Sequence, residues 1–214
     1  AYKTEAEEFN EPGGMMDQYS TAKGHLIYLQ SEPDIAIESL NPKLGTFVLG
    51  DSCEPKDTLG ILNRCQDSRL EIMDKLKIRN PNFYIHSSND DLDLTDLTKN
   101  EKSLLNGTLK NKNILETALL ELKKSEPNHE KIGNLLSQHH TILRDVLQVS
   151  TPKIESMLDA AIDVGALGGK INGTGGGGCM FAYAPENFEE VAEAIERVGG
   201  KSYIIQSDDG TRID

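Results

Sequence analysis

Positive charge is in short supply in this chain. Twenty-two lysines and arginines stand against 35 aspartates and glutamates, which leaves a net charge of −13 and a pI near 4.8. A field of that sign repels polyanions, which argues against nucleic acid or an anionic membrane surface as a partner; a small anionic ligand stays compatible if donors are concentrated locally. Cysteine is scarce too: Cys53, Cys65 and Cys179 are odd in number and far apart, which suits reduced thiols of a cytoplasmic protein rather than a disulfide frame or a metal cluster. No apolar run approaches the roughly twenty residues of a membrane span, and no signal peptide opens the chain. Internal repeats and long linkers are absent as well, so the simplest organisation is a single domain over 1–214, long enough to bury a sizeable core.

What the chain has in abundance, at one place, is glycine. In Lys170 to Ala184, KINGTGGGGCMFAYA, five glycines within six residues interrupt what otherwise reads as two β-strands. Glycine loses more backbone entropy on folding than any other residue and brings no side chain to bury, so such a run between apolar segments needs a reason. Close approach by something bulky and charged is one: successive glycines can turn their N–H groups toward a single point and admit a phosphate, or another phosphate-holding loop. A flexible linker is the alternative. The continuation Cys179-Met180-Phe181-Ala182-Tyr183 reads as a buried strand and favours the first. No Gly-Lys-Ser/Thr closes the run and no helix opens directly after it, so it fits neither the Walker spacing nor the dinucleotide fingerprint.

Around this centre the chain alternates short β-rich runs with longer helices. Ala1–Phe9 reads as the last turns of a helix whose start lies upstream of Ala1, ended by Asn10-Glu11-Pro12-Gly13-Gly14. Gly24–Gln30, Ile35–Leu40 and Thr46–Leu49 are expected to form a three-strand antiparallel meander. Asp51–Asp57 is a polar loop. Helical spacing of apolar residues predicts helices over Thr58–Lys77, Glu101–Lys124, His129–Leu147 and Thr151 to about Val164, with an acidic loop over Ser87–Asp96. A strand, the glycine loop, a second strand, a helix over Asn187–Val198 and a last strand over Lys201–Gln206 give β–loop–β–α–β at the C-terminus. The fold class is therefore α+β, an antiparallel sheet layered with helices.

Asp17, in Met15-Met16-Asp17-Gln18, follows a glycine turn and two methionines. It can cap a helix, or it can be a partly desolvated carboxylate able to take a proton from a hydroxyl. His139 and His140 are adjacent in a predicted helix and point about a hundred degrees apart, so they cannot share a metal there and read as surface or core histidines.

Three separated stretches carry a family resemblance. KTEAEEFNEPGGMMDQ resembles a segment in which an acidic helix residue precedes a Gly-x-Met-Asp-Gln turn. LLSQHHTILRDVLQVSTPKIESMLDAA is similar to a Ser-His-x-Ser-Leu-Arg-Asp helix followed by Ser-Cys-Pro-x-Leu-Asp, and NGTGGGGC to a glycine-rich third motif. In this order and at these gaps they resemble the C-terminal portion of a GHMP superfamily kinase, most closely the galactokinases. The resemblance implies ATP-dependent phosphorylation of a monosaccharide hydroxyl, with ATP and Mg²⁺ as cofactors. Asp17 then matches the catalytic aspartate, Gly14 and Asp17 the substrate contacts, and Glu5 the acid that helps hold Mg²⁺. Gly173, Thr174, Gly175, Gly176, Gly177 and Gly178 match the loop that helps shape the phosphate site. Phosphoryl transfer asks mainly for positioning and charge neutralisation, which agrees with those parts.

Two departures bear on the whole protein. The second superfamily motif, a Pro-x-x-x-Gly-Leu-Gly-Ser-Ser-Ala-type loop that cradles the ATP phosphates, is not in these residues, so the N-terminal portion of the same kinase is an expected partner and the chain alone is expected not to turn over. The region Leu59–Arg64 lacks the tyrosine that galactokinases tend to place against the sugar. Asn172 and Thr174 bring the glycine motif nearer to mevalonate kinases, whereas Met16-Asp17-Gln18 favours the sugar kinases. A non-catalytic binding or regulatory module on the same fold is the reading from a different class.

Overall fold

The computed structural model describes residues 15–31, 34–56, 58–85 and 92–212. The helix expected over Ala1–Phe9, with Glu5, and the turn with Gly14 lie outside the described residues.

Helix α1 (Met16–Lys23) leads into strands β1 (Leu26–Gln30), β2 (Ala36–Leu40) and β3 (Phe47–Asp51). The long helices α2 (Thr58–Arg79), α3 (Lys99–Leu122), α4 (His129–Asp145) and α5 (Pro152–Asp163) follow. Strands β4 (Gly168–Ile171) and β5 (Cys179–Tyr183), helix α6 (Phe188–Arg197) and strand β6 (Lys201–Ile205) complete the order. Three helix starts carry side-chain caps. Thr98 and Glu101 form a reciprocal capping box before α3, the Asn128 side chain accepts from the Lys131 N–H at α4, and Thr151 accepts from Ile154 just ahead of Pro152 at α5.

The expected three-strand meander does not form. β1 and β2 pair antiparallel as a two-stranded ribbon, while β3 leaves them to become an inner strand of a second sheet in the order β4-β5-β3-β6. The chain between Leu40 and Thr46 carries Pro42, and its Lys43 N–H is taken by the Ser125 carbonyl rather than by a hairpin partner. Packing chose the partner: Val48 is fully buried opposite Ala182, where a two-stranded ribbon would have left it in water. Since β5 and β6 both run antiparallel to β3, the β5–α6–β6 segment is a split β–α–β unit.

One face of this sheet, with Val48, Met180, Ala182 and Ile171, packs on α5 and α6 through Ile154, Met157, Val191 and Ile195, all within 0% exposure. A second, smaller cluster joins α2 to α3 through Ile72, Leu76 and Leu105. At the turn from α3 to α4 the buried carboxylate of Glu121 accepts from Lys124, from the Asn128 N–H and from Lys131 at 2.9–3.0 Å, so its charge is met by two ammonium groups and a backbone dipole. No helix among the described residues is long and apolar enough to cross a membrane.

Helix α4 lies along the outer edge of β4, close enough that a Cβ on Gly168 would meet the Gly133 backbone. Edge strands expose alternate N–H groups. Here those of Gly169 and Ile171 donate to the Ser137 hydroxyl and the His140 ring, one helical turn apart on α4. The edge next to the glycine loop is thus sealed by side chains.

Candidate functional site

The loop from Asn172 to Gly178 joins β4 to β5 as a hairpin, and the strand, glycine loop and strand expected from sequence are all present. Gly173, Gly175, Gly176, Gly177 and Gly178 have φ between +67° and +108°, the left-handed region that other residues adopt only at a cost. Space is also short. A Cβ on Gly175 would lie 2.5 Å from the Val149 carbonyl oxygen, and one on Gly177 would lie 2.9 Å from that of Pro55. The loop is therefore wedged between the turn before α5 and the β3–α2 connection, which excludes the flexible-linker reading.

Its anchors are few and well placed. Asn172 N–H donates to the Cys179 carbonyl at 2.8 Å, Gly176 N–H donates to that of Val149 at 2.7 Å, and the Gly178 carbonyl accepts from Ser52 N–H at 2.9 Å. The N–H groups of Gly173, Thr174, Gly175, Gly177 and Gly178 have no acceptor among the described residues. The Thr174 hydroxyl is buried and unpaired among them too. A concentration of donors without acceptors, on a loop of left-handed residues, is a nest suited to anionic oxygens.

Behind the loop stands a polar hub. The His140 ring, 6% exposed, accepts from Ile171 N–H at 3.2 Å, and its other nitrogen pairs with Glu155 at 2.8 Å. Glu155 also accepts from Arg144 at 3.3 Å and from the Ser150 hydroxyl. Ser150 follows Val149, so the loop's root and its middle are both tied to one carboxylate. Burial pushes Glu155 up, but its bonds to Ser150 and His140 outweigh that and hold its carboxyl below the usual range. His139, its neighbour, has no metal partner: no group of three potential ligands occurs among the described residues. Burial, with Lys170 and His140 nearby, pushes His139 down to about 4, and burial lowers Lys170 to about 8. Cys179, at the loop's exit, is raised chiefly by burial, which makes it a poor nucleophile at neutral pH.

Asp17 sits in the first turn of α1, exposed; its carbonyl accepts from the Ser20 hydroxyl at 3.2 Å, while its carboxylate has no hydrogen bond or ion pair to a described residue. The capping alternative is not realised, because Met15 occupies the N-cap and the cap has no side-chain bond. Helix α1 packs on β1 and is clasped by the C-terminal tail: Thr211 N–H donates to the Thr21 carbonyl at 2.9 Å and His25 pairs with Asp209 at 2.9 Å. The glycine-loop residues are brought together with Val149, Pro55 and Lys56; Asp17 stands on a separate element.

The family described as GHMP kinases C terminal matches residues 115–202, which hold α4, α5, both strands of the glycine hairpin and α6. That match spans less than half of the chain and is confined to its C-terminal part. The chain is 46% identical over 97 residues to the mevalonate kinase of Thermococcus onnurineus, a stretch covering 45% of this chain and 29% of that protein. It is 26% identical over 218 residues to the galactokinase of Bacillus subtilis, covering 94% of this chain and 52% of that one. The fold matches that of Lactococcus lactis galactokinase complexed with galactose, with a TM-score of 0.76, 21% identity, and 97% of this chain aligned to 58% of that chain. The chain thus spans about half, or less, of these relatives. The GHMP C-terminal fold accounts for the α+β layering expected from sequence.

Sequence reasoning missed Lys56, Val149 and the His140–Glu155 hub. Only the Ser-Thr-Pro start of α5 signalled that something structured preceded that helix.

Proposed function

We propose that this chain is the C-terminal, substrate-side domain of an ATP-dependent GHMP kinase that phosphorylates a hydroxyl of a small molecule, with a monosaccharide as the first reading. The observation that carries it is the glycine hairpin, in which the N–H groups of Gly173, Thr174, Gly175, Gly177 and Gly178 have no acceptor among the described residues and suit an anionic ligand. The similarity to B. subtilis galactokinase, over 94% of this chain, supports the sugar. The higher identity to the T. onnurineus enzyme, over 97 residues or 45% of this chain, favours mevalonate as the second reading.

In this mechanism Asp17 accepts or orients the acceptor's hydroxyl proton, Gly14 lies against the substrate, and Glu5 contributes to Mg²⁺ binding. ATP supplies the transferred phosphoryl group. The oxygen–phosphorus bond to the acceptor forms as the bond to the departing ADP oxygen breaks, and the hydroxyl proton passes toward Asp17. Glycine-loop donors offset negative charge that develops on the phosphoryl oxygens, and a Mg²⁺ held with the help of Glu5 would supply further charge neutralisation there. The described residues fit the phosphate part of this scheme. No metal cluster occurs among them, so the Mg²⁺ role rests on Glu5 and on the N-terminal portion of the kinase.

An ADP-release assay on the whole protein, with ATP, Mg²⁺, galactose, other monosaccharides and mevalonate, tests the reading. Turnover with a sugar supports the first reading and turnover with mevalonate alone the second. No turnover with any hydroxyl acceptor leaves the non-catalytic module standing. The 214-residue chain alone is expected not to turn over, and normal activity from it would overturn the fragment reading.

A further inference from the structure

We propose that Lys56, on the β3–α2 connection, is an anion-binding residue that completes the glycine loop's phosphate site. The proposal deepens the kinase reading and rests on it only for the identity of the molecule that carries the phosphate.

The backbone of the connection delivers this side chain. Cys53 takes φ +57°, its N–H donates to the Asp51 carboxylate at 2.9 Å, and Pro55 then turns its carbonyl toward Gly177. Lys56 is thereby laid across the mouth of the hairpin. Its Nζ is 3.2 Å from the point where a Cβ of Gly173 would stand, and its Cδ is 3.3 Å from the corresponding point on Gly178. Glycines at the two ends of the loop therefore serve two needs at once, the left-handed backbone and an open path for the lysine stem.

The charge is uncompensated. Lys56 makes no hydrogen bond or ion pair with a described residue, in a chain with 35 acidic side chains. Of the two described carboxylates on the same connection, Asp51 accepts from the Cys53 N–H at 2.9 Å and Glu54 from the Thr151 hydroxyl at 3.1 Å. The loop along which Lys56 lies carries N–H groups and a buried Thr174 hydroxyl without partners among the described residues. An exposed cation laid along a loop whose N–H groups and Thr174 hydroxyl have no acceptor among the described residues matches a multi-oxygen anion such as a phosphate, for which charge-assisted bonds are the strong ones.

The test is a titration of the 214-residue chain with sodium pyrophosphate, followed by the amide NMR signals of 172–178. In the unsubstituted chain these signals shift, and Lys56→Met weakens the titration by about tenfold or more, the loss expected for one charge-assisted contact. Lys56→Arg keeps the response, and Lys110→Met, on the exposed face of α3, leaves it unchanged. Titration of Lys56→Met like the unsubstituted chain, or shifts confined to residues outside the loop, or no binding at all, overturns the proposal. If pyrophosphate binds as described while the whole protein turns over no hydroxyl acceptor, the Lys56 site stands and the kinase reading fails.

Discussion

His140 bridges β4 to α5. Its Nδ1 accepts the Ile171 N–H at 3.2 Å while Nε2 faces Glu155 Oε1 at 2.8 Å. A backbone N–H can only donate, so the ring proton belongs on Nε2, where it donates to the carboxylate. The residue that ends the strand before the glycine loop is thus held by a side chain whose tautomer is set by the helix that follows.

Replacing His140 with Ala leaves the buried Ile171 N–H without an acceptor and removes a donor from Glu155. A loss of about 1–3 kcal/mol in unfolding free energy is expected, with faster hydrogen exchange at Ile171 than at Val48 in the sheet interior. Combining it with Glu155→Gln should cost less than the sum of the two single changes, since both act on one network. Urea unfolding of the four proteins of that cycle measures it, and strict additivity would count against a shared hub.

Two glycine substitutions separate backbone strain from crowding. Gly173→Ala meets only the mobile end of Lys56, so its cost is the left-handed backbone, about 1–2 kcal/mol. Gly175→Ala adds a contact at 2.5 Å to the fixed Val149 carbonyl and should be the more destabilised in a thermal melt. Equal melting temperatures would contradict the wedge.

If the proposed kinase reading holds, Asp17→Asn lowers kcat of the whole protein by about a hundred- to ten-thousandfold, with a smaller change in KM, as for loss of a general base. Because the Asp17 carboxylate is exposed and unpaired among the described residues, the melting temperature of the 214-residue chain should barely move. A kcat within a few fold of the unsubstituted enzyme would remove Asp17 from its role.

Glu121 gives a pH signature. Its bonds to Lys124, the Asn128 N–H and Lys131 hold its carboxyl down to about 2, against an ordinary value of 4.5. A carboxyl depressed on folding stabilises the folded state above its unfolded pKa and loses that contribution as pH falls through the folded one. Acid unfolding of the chain and of Glu121→Gln should therefore differ most above pH 4.5 and converge near pH 2. A gap unchanged across that range would show that Glu121 acts by packing alone.

Much of the secondary structure follows from local chemistry. Thr98 with Glu101 and Thr151 before Pro152 mark helix starts in the sequence, apolar spacing marks the helix bodies, and the glycine run lies between two recognisable strands. The family resemblance reaches further, because three motifs in order imply a fold that spacing alone leaves open. Partner choice for β3 is different in kind. TFVL reads as a strand wherever it pairs, and its burial against Ala182 depends on residues far along the chain.

The sequence by itself determined that a backbone without side chains would stand between β4 and β5, since no other residue adopts five left-handed conformations in six positions at so little cost. Only the tertiary structure decided what meets that backbone. Val149, Pro55, Lys56 and the His140–Glu155 pair come from four other segments, and no periodicity or local propensity encodes contacts made across the fold.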